Sequence, residues 1–440
     1  MLTVNAEDEY FQGDVDVINA MIDNNNLSAV KNDPENWTFA KWSQNSPKRI
    51  TKIDLDRGVL GEYLTGEMDV SSLTELEYMD IGLSYMVIVC YAAPVTISNA
   101  ENSNRISRFW SFLDRQQTAQ DTRKTSIISR FLNFRDEQQT APDTEQQTAS
   151  DTVQRTTPSD RYYPTNSLTS LNASGCTALT YLNCVNNALV NLDVSGCTAL
   201  TNLNCDMNSL TNLNVSGCTA LTDLNCGGNP LTDLNVSDCI ALTTLNCHHN
   251  MLVNLNVSGC TELRTMGCSN NSLTNLNVSG CPALTELYCY NNSLTNLNVS
   301  GCTELTYLDC SDNSMTNLNV SGCTALTKLY CYNNSLTNLN VRSCTELRTL
   351  SCSNNSLTNL NVSSCTEMLA LLCSDNQLKS LGRLPNNLQE MECANNQLTS
   401  LGKLPDSLQY IDCSNNQLTS LGTLPEKLKI LNSKNNPLTD

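Results

Sequence analysis

Leucine, cysteine, valine and asparagine return at fixed intervals over most of this chain. From position 166 to 376 the sentence L-T-x-L-x-C-x-x-N-x-L-T-N-L-N-V-S-G-C-T-x repeats every 21 residues, its asparagine falling at Asn166, Asn187, Asn208 and onward to Asn376. The spacing then shortens to 20 through Asn396, Asn416 and Asn436. In each unit L-x-x-L-x-C ends in the alternation of a half-buried strand. The segment N-L-N-V alternates as well and predicts a second short strand on the back of the 21-residue units. In the 20-residue units Leu384-Pro385, Leu404-Pro405 and Leu424-Pro425 punctuate that side, giving extended backbone with one donor missing. Neither unit leaves room for a full helix. Such a period marks a solenoid, in which like side chains of successive turns rest on one another.

Each column has a physical task in that reading. The strand leucine and cysteine, and the leucine and valine behind, point inward. The ladder asparagine also points inward, where its amide can satisfy backbone groups that a tight turn leaves buried. Thirteen strands between Leu179 and Ser433 would extend roughly 60 Å at about 4.8 Å per strand.

Outside the array the pattern changes. Residues 7–33 read as helical, with Val15, Val17, Ile18, Met21 and Ile22 on one face. Ile50-x-x-Ile53-x-Leu55 and Leu76-x-x-Met79-x-Ile81 are two further copies of the strand motif. Residues 1–97 are therefore expected to form an N-terminal cap with two degenerate repeats, because an end turn would otherwise expose core. Residues 98–165 carry the near-identical polar heptads beginning at Gln116, Gln138 and Gln146, and are expected to be a disordered, low-complexity insertion. Within it Ser107-Arg-Phe-Trp-Ser-Phe and Ser129-Arg-Phe-Leu-Asn-Phe are read as short packing segments that arose by duplication. The main array divides into 21-residue repeats over 166–372 and 20-residue repeats over 373–440.

Composition narrows the classes of function. The net charge is −19, and no basic stripe exists, so nucleic-acid binding lacks its electrostatic term. Of the 23 cysteines, ten form one column from Cys176 to Cys365 and twelve a second from Cys184 to Cys413. One of each per repeat is the usage of a small apolar residue, and the side chains of a column point the same way, so the thiols are read as free and inert. Ser433 fills the cysteine slot of the last unit, which pairing would not tolerate. Residues 1–35 show no secretory signal, which makes the chain cytoplasmic by sequence. The N-V-S triplets, such as Asn277-Val-Ser, then read as a product of the repeat rather than as glycosylation sites. The apolar run 81–97 is too short to span a membrane.

Chemistry is hard to place. Cys247 should face the core while His248 and His249 sit in a solvent-facing turn, so they do not converge as metal ligands. Cys90 has no histidine in its part of the chain and reads as packing. No catalytic, cofactor-binding or metal-ligating residue is assigned, and an enzyme is not expected. The outward strand positions are mostly Asn, Asp, Thr and Ser, with one exception across three consecutive units. Glu286, Tyr288 and Tyr290 are followed by Tyr307 and Asp309, then by Lys328, Tyr330 and Tyr332. Five tyrosines are expected to form an exposed patch of the kind that makes a recognition hot spot.

The unit L-x-x-L-x-C-x-x-N-x-L-x-x-L-x-V-S-x-C resembles the leucine-rich-repeat family, in particular the short bacterial class sometimes called IRREKO. The final L-P-x-x-L-x-x-x-x-C-x-N-N-Q-L units are similar to the 20-residue repeats of bacterial surface proteins and secreted effectors. The resemblance implies a β-rich solenoid: a right-handed coil or horseshoe with a parallel concave sheet, few helices and a small helical N-terminal cap. It also implies a non-catalytic scaffold, usually for protein ligands, and a surface or secreted location. The absence of a visible signal, and of any domain after the repeats, distinguishes the chain from secreted members and from ubiquitin-ligase effectors. The function expected is engagement of another protein through the concave patch. The alternatives are a carbohydrate or cell-envelope binding module and a secreted bacterial effector or adhesin.

Overall fold

The structure, a computed structural model, describes residues 10–25, 31, 34, 37, 40–44, 48–54, 65–81 and 167–439. Residues 85–163 lie outside the described residues, and with them Cys90, the glutamine-rich heptads and both Ser-Arg-Phe segments.

The described residues form a parallel-strand solenoid whose long sheet has 16 strands. Its first edge is closed by an antiparallel pair, Ala40–Trp42 on Ile50–Asp54. Parallel pairing then carries Ile50–Asp54 to Tyr78–Asp80, and Tyr78–Asp80 directly to Tyr181–Asn183, with Tyr78 opposite Tyr181 and Met79 opposite Leu182. Two strands about a hundred residues apart in sequence are thus neighbours in the sheet. From Tyr181–Asn183 to Ile430–Asn432 each turn adds one three-residue strand, thirteen in all.

The single helix among the described residues is Gln12–Asn25, shorter than the 7–33 expected. Val15, Ile18, Met21 and Ile22 are buried against the first turns. Asp14, in its first turn, is also buried and anchors the helix to the sheet. Its Oδ2 accepts from Arg49 Nε at 3.0 Å and from Ile50 N at 2.8 Å, and Arg49 Nη2 lies 3.0 Å from Oδ1. Trp42 packs nearby, with its ring 4.7 Å from Tyr10 and 6.1 Å from Trp37.

The asparagine column turns inward and holds adjacent turns together. Asn292 is representative: its Nδ2 donates to the carbonyls of Cys268, Cys289 and Tyr290 at 3.0–3.3 Å. Its Oδ1 accepts from Leu273 N at 3.0 Å. One side chain therefore bonds its own turn and the turn before it. The same arrangement runs from Asn187 to Asn436. The residue before each ladder asparagine takes a left-handed backbone, with φ of 50–58°. That explains the preceding Asn or Asp in most units and Gly228 in one, since these residues tolerate positive φ best.

All 22 described cysteines are buried and free. In the first column each thiol points along the stack to a backbone carbonyl, as Cys302 does to Val278 O at 3.3 Å. Burial raises their pKa values, to about 12 for Cys176 and about 11 for Cys302. They are packing residues, as the spacing requires. The predicted back strands form in pieces: Ser167–Asn172 with Thr65–Asp69 and Asn191–Asp193, Asp233–Asn235 with Asn254–Asn256, and four strands from Asn275–Asn277 to Asn338–Asn340. No back strand is assigned among the described 20-residue units, where each Leu-Pro removes a donor.

Candidate interaction surface on the long sheet

Strand register assembles the tyrosine group that the sequence singles out. Glu286, Tyr307 and Lys328 lie opposite one another in three adjacent strands, and Tyr288, Asp309 and Tyr330 form the next row. Tyr290 and Tyr332 follow Cys289 and Cys331 at the strand ends and are half-buried. All eight residues belong to three neighbouring turns.

The rings do not stand out into solvent as expected. Tyr307 packs 4.8 Å from Tyr288 and 5.5 Å from Tyr330 between ring centroids. Tyr288 retains 7% and Tyr330 3% of its exposure. Adjacent strands are only about 4.8 Å apart, so bulky rings in neighbouring rows fold down over one another rather than projecting separately. Tyr288 Oη donates to Glu286 Oε2 at 3.2 Å. Asp309 Oδ1 accepts from Ser311 N at 3.1 Å and Ser311 Oγ at 2.6 Å. Burial, reinforced by the carboxylates of Glu286 and Asp309, drives the Tyr288 phenol well above its ordinary pKa. Burial and Asp309 do the same to Tyr307 and Tyr330. These tyrosines are neutral phenols, not phenolate nucleophiles.

A second aromatic group lies nearer the N-terminal end of the long sheet. Tyr78 and Tyr181 stack at 4.6 Å with planes 5° apart. Lys52 Nζ lies 4.2 Å from the Tyr78 ring centroid. These residues hold the same strand position in three successive parallel turns. The signal was present, but Tyr78 and Tyr181 flank the long break in the repeat, which hid their adjacency.

His248 also departs from expectation. It is half-buried and packs 5.0 Å from His249, edge to face. Glycine in the preceding turn, Gly227, leaves it room to lean toward the sheet. Among the described residues no group of three or more His, Cys, Asp or Glu side chains is placed to hold a metal ion. No helix among them is long and apolar enough to cross a membrane. An open hollow of about 770 Å³ lies on the back, lined mainly by the asparagines of the N-L-N-V segments together with Asp233 and Asp238.

No family model matches the chain, and no curated protein matches its sequence. Solved structures do. The functional domain of InlJ from Listeria monocytogenes, described as including a cysteine ladder, is 37% identical over 58% of this chain and 58% of its own, with a TM-score of 0.53. YopM from Yersinia enterocolitica WA-314 is 29% identical over 62% of this chain and 59% of its own, at 0.54. The Leptospira interrogans LRR protein LIC12759 is 25% identical over 62% of this chain and 79% of its own, at 0.51. The chain thus spans a little under six tenths of the first two. With its 20- to 21-residue period and parallel strand register, this chain has the leucine-rich-repeat solenoid fold of these bacterial proteins.

Proposed function

We propose that the protein is a non-catalytic scaffold that engages another protein through the concave face of the long sheet. The contact is centred on Glu286, Tyr288, Tyr290, Tyr307, Asp309, Lys328, Tyr330 and Tyr332. The observation that carries this reading is the cross-strand packing of Tyr288, Tyr307 and Tyr330. Rings already fixed against one another lose little freedom when a partner lands on them. Glu286 and Lys328 on either side of Tyr307 offer both charge signs for register and specificity. The leucine-rich-repeat neighbours, including InlJ and YopM, support a protein-binding role in general.

The test uses the half-buried rim, because Tyr288 and Tyr330 also support the sheet. Replacing Tyr290 and Tyr332 with Ser and Lys328 with Glu should leave the circular dichroism spectrum unchanged. It should also weaken capture of the partner recovered by the wild type in pull-down with mass spectrometry. A loss of about 2 kcal/mol, roughly thirtyfold in affinity, is the scale for hot-spot residues. Undiminished capture removes this site. Tyrosines beside Asn and Asp also suit sugars, so the second reading is carbohydrate or cell-envelope binding. A glycan array run beside the pull-down separates the two.

A further inference from the structure

Two methionines stand out of the stack. Met207 retains 47% of its exposure and Met251 60%, whereas the other described methionines, Met266 and Met315 among them, retain 4% or less. The repeat does not call for either side chain. Met251 follows ladder Asn250 at a place taken by Ser272, Ser293 and Ser314 in the next three turns. Met207 precedes ladder Asn208 with φ of 53°, the left-handed backbone for which most turns use Asn, Asp or Gly. A long apolar side chain held there in water carries a conformational cost that burial does not offset. Its Sδ lies over Gly228, 2.9 Å from where a Cβ would stand, so the next turn presents no side chain at that place to shield it.

The thiols of the same two turns are Cys205 and Cys247, both fully buried. Burial pushes both well above the ordinary thiol range, and a protonated, enclosed thiol is a poor nucleophile. A thioether needs no ionisation to react, so access alone governs it. We propose that Met207 and Met251 are a modification site for peroxides, at which the chain is oxidised reversibly to methionine sulfoxide while its thiols stay reduced. Each sulfur attacks one peroxide oxygen; the O–O bond breaks and an S–O bond forms. The proton of the transferred oxygen passes to the leaving one, which departs as water from hydrogen peroxide or as an alcohol from an alkyl hydroperoxide. Sulfur gives up two electrons and the peroxide receives them. The change makes an apolar side chain polar, and it falls on positions that face water, so the stack beneath is undisturbed. The site lies on other turns than the tyrosine group and does not depend on its role.

The test is exposure of full-length protein, with a chelator present, to excess hydrogen peroxide, followed by digestion and mass mapping of the added oxygen. Thiols are counted in parallel after unfolding. Met207 and Met251 should each gain one oxygen within about threefold of the rate of free methionine, and Met266, Met315 and the described thiols at least about tenfold more slowly. In urea that difference should vanish. The oxidised protein should keep its circular dichroism spectrum, and methionine sulfoxide reductases should remove both oxygens. Met207→Leu and Met251→Leu should each delete one product and leave the other. Oxidation of Met266 or Met315 in the folded protein as fast as that of Met207 and Met251 overturns the proposal. So does loss of the described thiols before sulfoxide appears, or unfolding that accompanies the first two oxygens.

Discussion

A single asparagine shows how much structure one side chain can carry. Asn292 bonds four backbone groups in two turns, more than a leucine or cysteine of the same repeat can do by packing. Replacement by alanine leaves Leu273 N and three carbonyls without that partner in a region from which water is largely excluded. At about 1–3 kcal/mol for each strandable buried group, partly relieved by relaxation, Asn292→Ala should cost roughly 2–4 kcal/mol. The midpoint of urea denaturation measures it. Alanine at the neighbouring exposed Ser293 should change little. The column is legible in sequence because the asparagine never drifts from its place; two of its four partners, Cys268 O and Leu273 N, are not, because they come from the turn before.

At the scale of strands, cross-strand neighbours decide chemistry that composition leaves open. Glu390–Glu392 lies between Ala370–Leu372 and Tyr410–Asp412. Burial and then the Glu392 carboxylate raise the pKa of Glu390 from 4.5 to about 8. A carboxyl whose folded pKa is raised contributes stability below its unfolded pKa and loses it as pH climbs through the folded value. The wild type should therefore lose stability between about pH 4.5 and about pH 8, relative to Glu390→Gln. Urea melts of both proteins at either end of that window check the sign. A Glu390→Gln protein less stable than wild type on the alkaline side would contradict it. The helix obeys the same logic of partners. Asp14 would be an unlikely residue to bury, and Arg49 and Ile50 N make it tolerable.

For the whole molecule the repeat makes length a matter of whole turns. Residues 302–322 constitute one 21-residue unit, from Cys302 to Gly322. Their removal joins Gly301 to Cys323 and leaves every remaining column in register, so the shortened protein should fold and melt cooperatively. Removal of 302–311 alone breaks the column order, sets polar residues against buried leucines and should abolish the cooperative transition. Circular dichroism with urea melts distinguishes the two. The whole-turn deletion takes Tyr307 and Asp309 with it, and on the proposed function it should fold yet lose its partner.

The inward or outward direction of the repeated columns was written in the sequence. Period fixes which positions stack, and Leu, Cys, Val and Asn at those positions can be satisfied only inside. The free state of the thiols was legible for the same reason: a column of parallel side chains has no facing partner. What the tertiary structure decided are the relations between residues of different turns with unlike neighbours. It laid Tyr78 on Tyr181 across the break in the repeat, and it folded Tyr288 and Tyr330 down over Tyr307. It also turned His248 from solvent toward Asp206 over a glycine. A periodic pattern gives the average environment of a column, whereas the space open to one side chain depends on the particular residues one strand away.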